Sequence, residues 1–151
     1  MRLIAIFFVL VLGFSSCKKG GSGAEDVDPR EQYVGIYDID YSSKTIIGSI
    51  DFNEDSGKGT VTVSKGDAAN EIKLAIAFPG VSSTEVAKLS GTKFTLNRTR
   101  DQLALGNKSY DAEFTGSGLF EGKNMTITSV TKMNQNGTVV QWTRAYKGSK
   151  R

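Results

Sequence analysis

The chain reads as an all-β protein, a small antiparallel barrel of about eight strands, and three observations predict it. From Tyr33 onward, apolar and polar residues alternate in short runs rich in β-branched and aromatic side chains. Those runs are separated by Gly-, Asn- and Asp-containing turns only a few residues long. No amphipathic helical stretch intervenes, so each strand is free to pair with the next. With about eight strands, closing the sheet removes both exposed edges. An open two-sheet sandwich is the alternative.

The elements follow in order. Asp28 as N-cap and Pro29 at the first position predict one short helical turn over 29–32. Strands are expected near 34–41, 45–53, 58–65, 70–78, 84–90, 92–98, 108–120, 123–133 and 138–146. The clearest is Glu71 to Phe78, where Ile72, Leu74, Ile76 and Phe78 share one face while Glu71 and Lys73 share the other. Asn53 to Gly59, Lys65-Gly66-Asp67, Ser90-Gly91-Thr92, Glu121-Gly122 and Asn136-Gly137 are the hairpin turns, the last being the strongest two-residue signal. Ser82 and Ser83 continue the loop after Pro79-Gly80. Alternation places Ile46, Ile50, Phe52, Val61, Val63, Ile72, Leu74, Ile76, Phe78, Phe94, Leu96, Tyr110, Phe114, Ile127, Val140 and Trp142 inside. An eight-stranded barrel is just wide enough for side chains to fill it or to hold one small ligand. These bulky residues predict a largely packed lumen with a shallow mouth.

Ahead of the barrel, Arg2 precedes an apolar run from Leu3 to Leu12, and Phe14-Ser15-Ser16 leads to Cys17, the only cysteine. The run is of signal-peptide length and too short to span a bilayer, which takes about 20 residues. This stretch resembles the lipobox of bacterial lipoproteins, which implies a signal peptide over 1–16 and a lipid-modified Cys17. Two or three acyl chains there would hold the protein at a membrane and leave no thiol for catalysis, metal binding or a disulfide. Residues 17–28, dominated by Gly, Ser and then carboxylates, form a flexible tether. In the Bacteroidetes-type lipoproteins that this chain resembles, an early acidic run accompanies export to the cell surface. Here Glu25 and Asp26 come late, so the resemblance implies the periplasmic face of the outer membrane. The barrel domain runs over 29–147 and a basic tail over 148–151.

Gly35-Ile36-Tyr37 on the first strand resembles the Gly-x-Trp opening of the calycins, the lipocalins and fatty-acid-binding proteins. That resemblance implies that Arg144, on the last strand, packs over the Tyr37 ring, a contact worth about 1–2 kcal/mol when partly desolvated. Tyr stands where those families carry Trp. Val86 to Leu96, Phe114 to Gly118 and Gly122 to Ile127 are similar to small Bacteroidetes lipoproteins of calycin-like fold.

The formal charge is +3, with Lys and Arg scattered among acids, so no nucleic-acid footprint is expected. There is no histidine, which removes the commonest general base and the Ser-His-Asp arrangement. Asp111 and Glu113 alternate with Tyr110 and Phe114 and are expected to face solvent. Asp51-x-Asn53-x-Asp55 has the start of a calcium-loop spacing, yet Ser56 and Thr62 stand where an EF-hand needs Gly and Glu. Gly116-Ser117-Gly118 lacks the strand-then-helix setting of a phosphate loop and is read as relief of crowding where a strand bends. No catalytic residue, metal or cofactor is expected. Three functions stay open: a lipoprotein binding a small apolar or amphipathic ligand or a partner protein, a packed docking subunit of an envelope complex, and a carboxylate-dependent hydrolase. For a ligand at the barrel mouth, Tyr37, Phe78, Phe94 and Trp142 are the apolar candidates, with Arg98 and Arg100 at the rim.

Overall fold

The computed structural model describes residues 27–151. The expected signal peptide, the expected lipobox at Cys17 and most of the expected tether lie outside the described residues. Nine strands follow a 3-10 turn at Glu31–Tyr33. They are β1 (Gly35–Ile47), β2 (Ile50–Lys65), β3 (Glu71–Phe78), β4 (Val81–Ser90), β5 (Lys93–Leu96), β6 (Arg100–Leu105), β7 (Lys108–Glu121), β8 (Asn124–Gln135) and β9 (Thr138–Lys150). Consecutive strands pair antiparallel except β5 and β6, β1 pairs with β9, and β5 pairs with β7, so eight strands close into a barrel. The ninth, β6, lies along the same edge of β7 as β5, pairing with its first half while β5 pairs with its second. The predicted all-β barrel is therefore the fold.

Closure has a steric condition at Gly118. It faces Phe94 across the β5–β7 seam, and a Cβ there would run into the Phe94 ring and lie 2.5 Å from the Thr126 carbonyl. A Cβ at Gly116 would lie 2.5 Å from Leu96. The Gly-Ser-Gly run thus lets the two edges meet, as expected from crowding.

The first hairpin departs from expectation. Asn53 to Gly59 is not a turn: β1 and β2 continue as a long ribbon to Gly48-Ser49, where Gly48 takes φ +63°. Gly57 and Gly59 serve packing instead. The Tyr41 ring lies 2.7 Å from where a Cβ of Gly57 would sit, and the Phe78 ring covers Gly59. Ile50 and Phe52 are not core: Phe52 is the unpaired residue of a bulge and Ile50 sits at the ribbon tip beside the turn, and they are 70% and 69% exposed, respectively. Ile46 is half-buried on the outer face. Ser82 and Ser83 are strand rather than loop. The tail also differs, since β9 runs on to Lys150 opposite Tyr37, and Arg151 pairs with Asp38 at 2.7 Å. Asn136 (φ 51°) and Gly137 (φ 83°) make the expected tight hairpin, both in the left-handed region.

The inner face falls into layers. At the end where the chain enters, Tyr33 stacks on Phe120 with centroids 4.3 Å apart, and its hydroxyl donates to the Gly91 carbonyl. Arg30, paired with Asp28 at 2.7 Å, donates to the carbonyls of Gly66, Ala68 and Glu71 and so fastens this turn over the β2–β3 loop. Behind that plug, Tyr37, Val61, Val63, Ile72, Leu74, Phe120, Met125 and Ile127 are each fully buried. Tyr41, Phe78 and Tyr146 pack next, Tyr41 tilted against Phe78 and Phe78 stacked on Tyr146, with centroids 4.2 and 5.6 Å apart. Far beyond them, Leu103, Ala112, Met133 and Val140 form a second small core with Ile47, Leu105, Tyr110 and Trp142 against it.

Candidate functional site

Between the two cores the inward positions turn polar. Strand alternation that gives Ile127 and Met133 on β8 puts Ser129 and Thr131 between them, 4% and 2% exposed. The same rule places Arg144 on β9, Asp101 on β6 and Glu85 on β4 at this level, Glu85 being 8% exposed. Arg98, in the break between β5 and β6, joins them. Its guanidinium meets Glu85 at 3.0 Å and Asp101 at 3.0 Å and lies 4.0 Å from the centroid of the Phe114 ring. The other oxygen of Asp101 accepts a hydrogen bond from Thr131 Oγ1 at 3.1 Å and faces Arg144 at 3.8 Å. Arg144 in turn covers Trp142 at 3.5 Å.

Two cations thus face two carboxylates, the four drawn from β4, β6, β9 and the break after β5. Burial pushes the Glu85 carboxyl above its ordinary value, the nearby Asp101 charge adds to this, and Arg98 and Arg144 pull the other way. Arg98 Nε is buried without an acceptor, so the guanidinium is held by its two terminal nitrogens and the aromatic face beneath it. Chemically the layer is a neutralised network: each carboxylate is engaged by arginine, which suits holding strands together better than moving protons. Among the described residues, no group of three or more Cys, Asp or Glu side chains is placed to hold a metal ion.

The sequence-predicted site residues are not gathered at one mouth. Tyr37 and Phe94 lie deep in the plugged end, and the Tyr37 hydroxyl donates to the Tyr33 carbonyl at 2.9 Å. Phe78 stands in the mid-barrel aromatic stack. Arg98 and Trp142 belong to the polar layer, joined through Asp101 and Arg144. Arg100 points outward and is exposed. The expected packing of Arg144 over Tyr37 does not form. The β1–β9 register sets Tyr37 opposite Lys150 and Arg144 opposite Ser43, which separates them by six residues, about 20 Å along the strand. Gly35 (φ 147°) lies instead against Lys150, whose Cε is 2.6 Å from where its Cβ would be. Glu85, Asp101, Ser129 and Thr131 were missed in the sequence. The available signal was polar residues on inward parity at one level of several strands.

Grooves of about 460, 720 and 370 Å³ open on the outer wall, and another of about 600 Å³ lies along Arg100, Asp101, Gln102 and Asp111. The largest runs along Asp38, Asp40, Lys58, Thr126 and Lys147. The 460 Å³ groove is lined by Lys44, Glu54 and Asp55 beside Ser42, Ser56 and Ala145, and the 370 Å³ groove by Arg98 beside Thr95, Ser117 and Thr128; the registers bring Thr95, Ser117, Thr128, Ala145, Ser42 and Ser56 side by side across six strands.

No family model matches the chain, and no curated protein does. Among solved structures it is similar to a protein of unknown function from the DUF3598 family of Nostoc punctiforme. That pair has 15% identity and a TM-score of 0.45, covering 79% of this chain and 48% of the other. It is also similar to a mutant of the vaccine antigen transferrin binding protein B (TbpB) of Haemophilus parasuis, with 13% identity and a TM-score of 0.48, covering 78% and 26%. The chain spans less than half the length of either protein.

Proposed function

We propose that the chain is a non-catalytic lipoprotein, tethered through an acylated Cys17 to the periplasmic face of the outer membrane, whose barrel is a docking subunit rather than a ligand container. One observation carries this reading: the inner face is occupied from end to end by its own side chains. The plug at Tyr33, the fully buried apolar layer, the aromatic stack, the salt-bridge layer and the second core follow one another along the axis. A small-molecule site needs about 300 Å³ or more of concave space with a few convergent polar groups, and the grooves of that size lie outside. Glu85 and Asp101 are tied up by arginine, while Asp111 and Glu113 are exposed on the outer face of β7. That arrangement weighs against a carboxylate-dependent hydrolase.

Native mass spectrometry of the full-length protein, extracted from its own cell envelope, tests the proposal. Acyl chains on Cys17 and a stoichiometric protein partner are expected. A co-purifying small molecule seated in the barrel, or mature material with a free Cys17 thiol, would refute it.

A further inference from the structure

The outermost part of the β1–β2 ribbon carries the most exposed large apolar side chains of the barrel. Ile50 and Phe52 are 69% and 70% exposed, and Phe52 owes its display to a β-bulge. Thr45 faces Asn53 and Ile46 faces Asp51, so Phe52 is the extra residue with nothing opposite it. Bulges re-aim a side chain and are over-represented at sheet edges and next to functional sites, and aromatic anchors seated in a partner's pocket supply much of an interface's affinity. Around it stand Asp51, Glu54 and Asp55, against which, among the described residues, Lys44 alone is set, 2.6 Å from Asp51 and 3.3 Å from Glu54. This tip is acidic on a chain whose formal charge is +3.

Strand addition does not suit the ribbon. Along the unpaired edge of β2, the Ser56 N–H is already bonded to the Asp55 carboxylate at 2.8 Å, and its acidic residues would repel a second copy laid antiparallel. The unpaired edge of β6 is blocked in the same way, Gln102 N–H donating to Asp101 at 2.9 Å. Anionic headgroups are equally disfavoured by the three carboxylates. The tip also lies at the pole opposite the 3-10 turn where the chain enters, one strand of 13 residues away, or about 40 Å.

We infer that the ribbon tip, Phe52 with Ile50, inserts into an apolar pocket of a partner protein whose rim carries Lys or Arg facing Asp51, Glu54 and Asp55. The inference rests on the docking reading and names its contact. Complementary charges at such a rim set orientation and encounter rate, while the buried aromatic supplies the affinity.

The test places a benzoylphenylalanine photocrosslinker at position 52 of the full-length protein in its native envelope, with a second at Ser82 as control. The expected result is one discrete protein adduct from position 52 and none from 82. The crosslinked peptide should carry Lys or Arg beside apolar residues. In an Asp51→Lys/Glu54→Lys background the yield should fall at least about tenfold, since like charges then meet at the rim, with circular dichroism unchanged. An adduct to lipid, an adduct to a second copy, a protein adduct indifferent to charge reversal, or no adduct would each overturn the inference. If native mass spectrometry finds a partner while position 52 stays silent, docking stands and this contact falls.

Discussion

Replacing Arg98 by methionine should be the most informative single change in the barrel. The side chain bridges Glu85 and Asp101 at 3.0 Å each and covers Phe114. Methionine keeps the contact with Phe114 and removes the charge. Breaking a buried pair by deleting one partner costs about 3–5 kcal/mol, because the other charge is left without compensation. Arg98 is 34% exposed in its side chain, so solvent screening lowers this to about 2–3 kcal/mol. At about 2.1 cal/mol/K per residue, the 125 residues from 27 to 151 convert that to about 8–12 °C in Tm. Acid should narrow the gap. Burial already holds the Glu85 carboxyl above its ordinary value, so the folded state binds the Glu85 proton first. Stability from this group therefore rises as pH falls through its folded pKa, and is lost again as pH climbs. Without Arg98 that folded value rises further, and the variant should regain stability starting at a higher pH than the wild type. Urea unfolding between pH 4 and 8 reads both effects, with Arg98→Met/Glu85→Gln completing the cycle. The double variant should recover about 1–1.5 kcal/mol of the loss. If Arg98→Met costs under about 0.5 kcal/mol, or Glu85→Gln rescues nothing, the polar layer is not what joins the two cores.

Three further outcomes are expected. Gly118→Ala should cost about 1–3 kcal/mol by overpacking the seam, because the new methyl meets the Phe94 ring and the Thr126 carbonyl; a Tm equal to wild type would show that the seam yields. Phe120→Ala should cost about 3–5 kcal/mol while Phe52→Ser stays within about 0.5 kcal/mol, since one ring is 1% and the other 70% exposed; similar losses in chemical denaturation would contradict the burial. Asp28, held well below the usual carboxylate range chiefly by the Arg30 guanidinium, gives stability that is present above its unfolded pKa and lost as pH falls through the folded one. Asp28→Asn should therefore lower the neutral plateau toward the acid end and so flatten the acid limb of the stability curve, and an unchanged acid limb would refute the pair's role.

The fold was legible because alternation is a local property. Ile72, Leu74 and Ile76 declare a half-buried strand without reference to anything else, and Asn136-Gly137 declares its own turn. The ribbon was not legible for the same reason. Asn53 to Gly59 has the composition of a loop, yet its glycines answer to the rings of Tyr41 and Phe78, one of them from β3, and no local pattern reports that. Parity failed at Ile50 and Phe52 once the turn moved to Gly48 and a bulge shifted the register. The β1–β9 register likewise undid the pairing of Arg144 with Tyr37, since the extent of a closing strand is fixed by the whole barrel. Of the candidate site, Arg98 and Trp142 were singled out as separate residues. The network joining them passes through Asp101 and Arg144, and neither Glu85 nor Asp101 announces itself as inward until β4 and β6 are placed.

The packed interior is tested most directly by recording carbon-13 methyl spectra of the mature domain under xenon pressure, since xenon enters dry apolar cavities. The account predicts small, linear, non-saturating shifts at the methyls of Val61, Val63, Ile72, Leu74 and Ile127, the residues that fill the axis. Saturable shifts centred on those methyls would reveal a hollow lumen and return the protein to the class of ligand carriers.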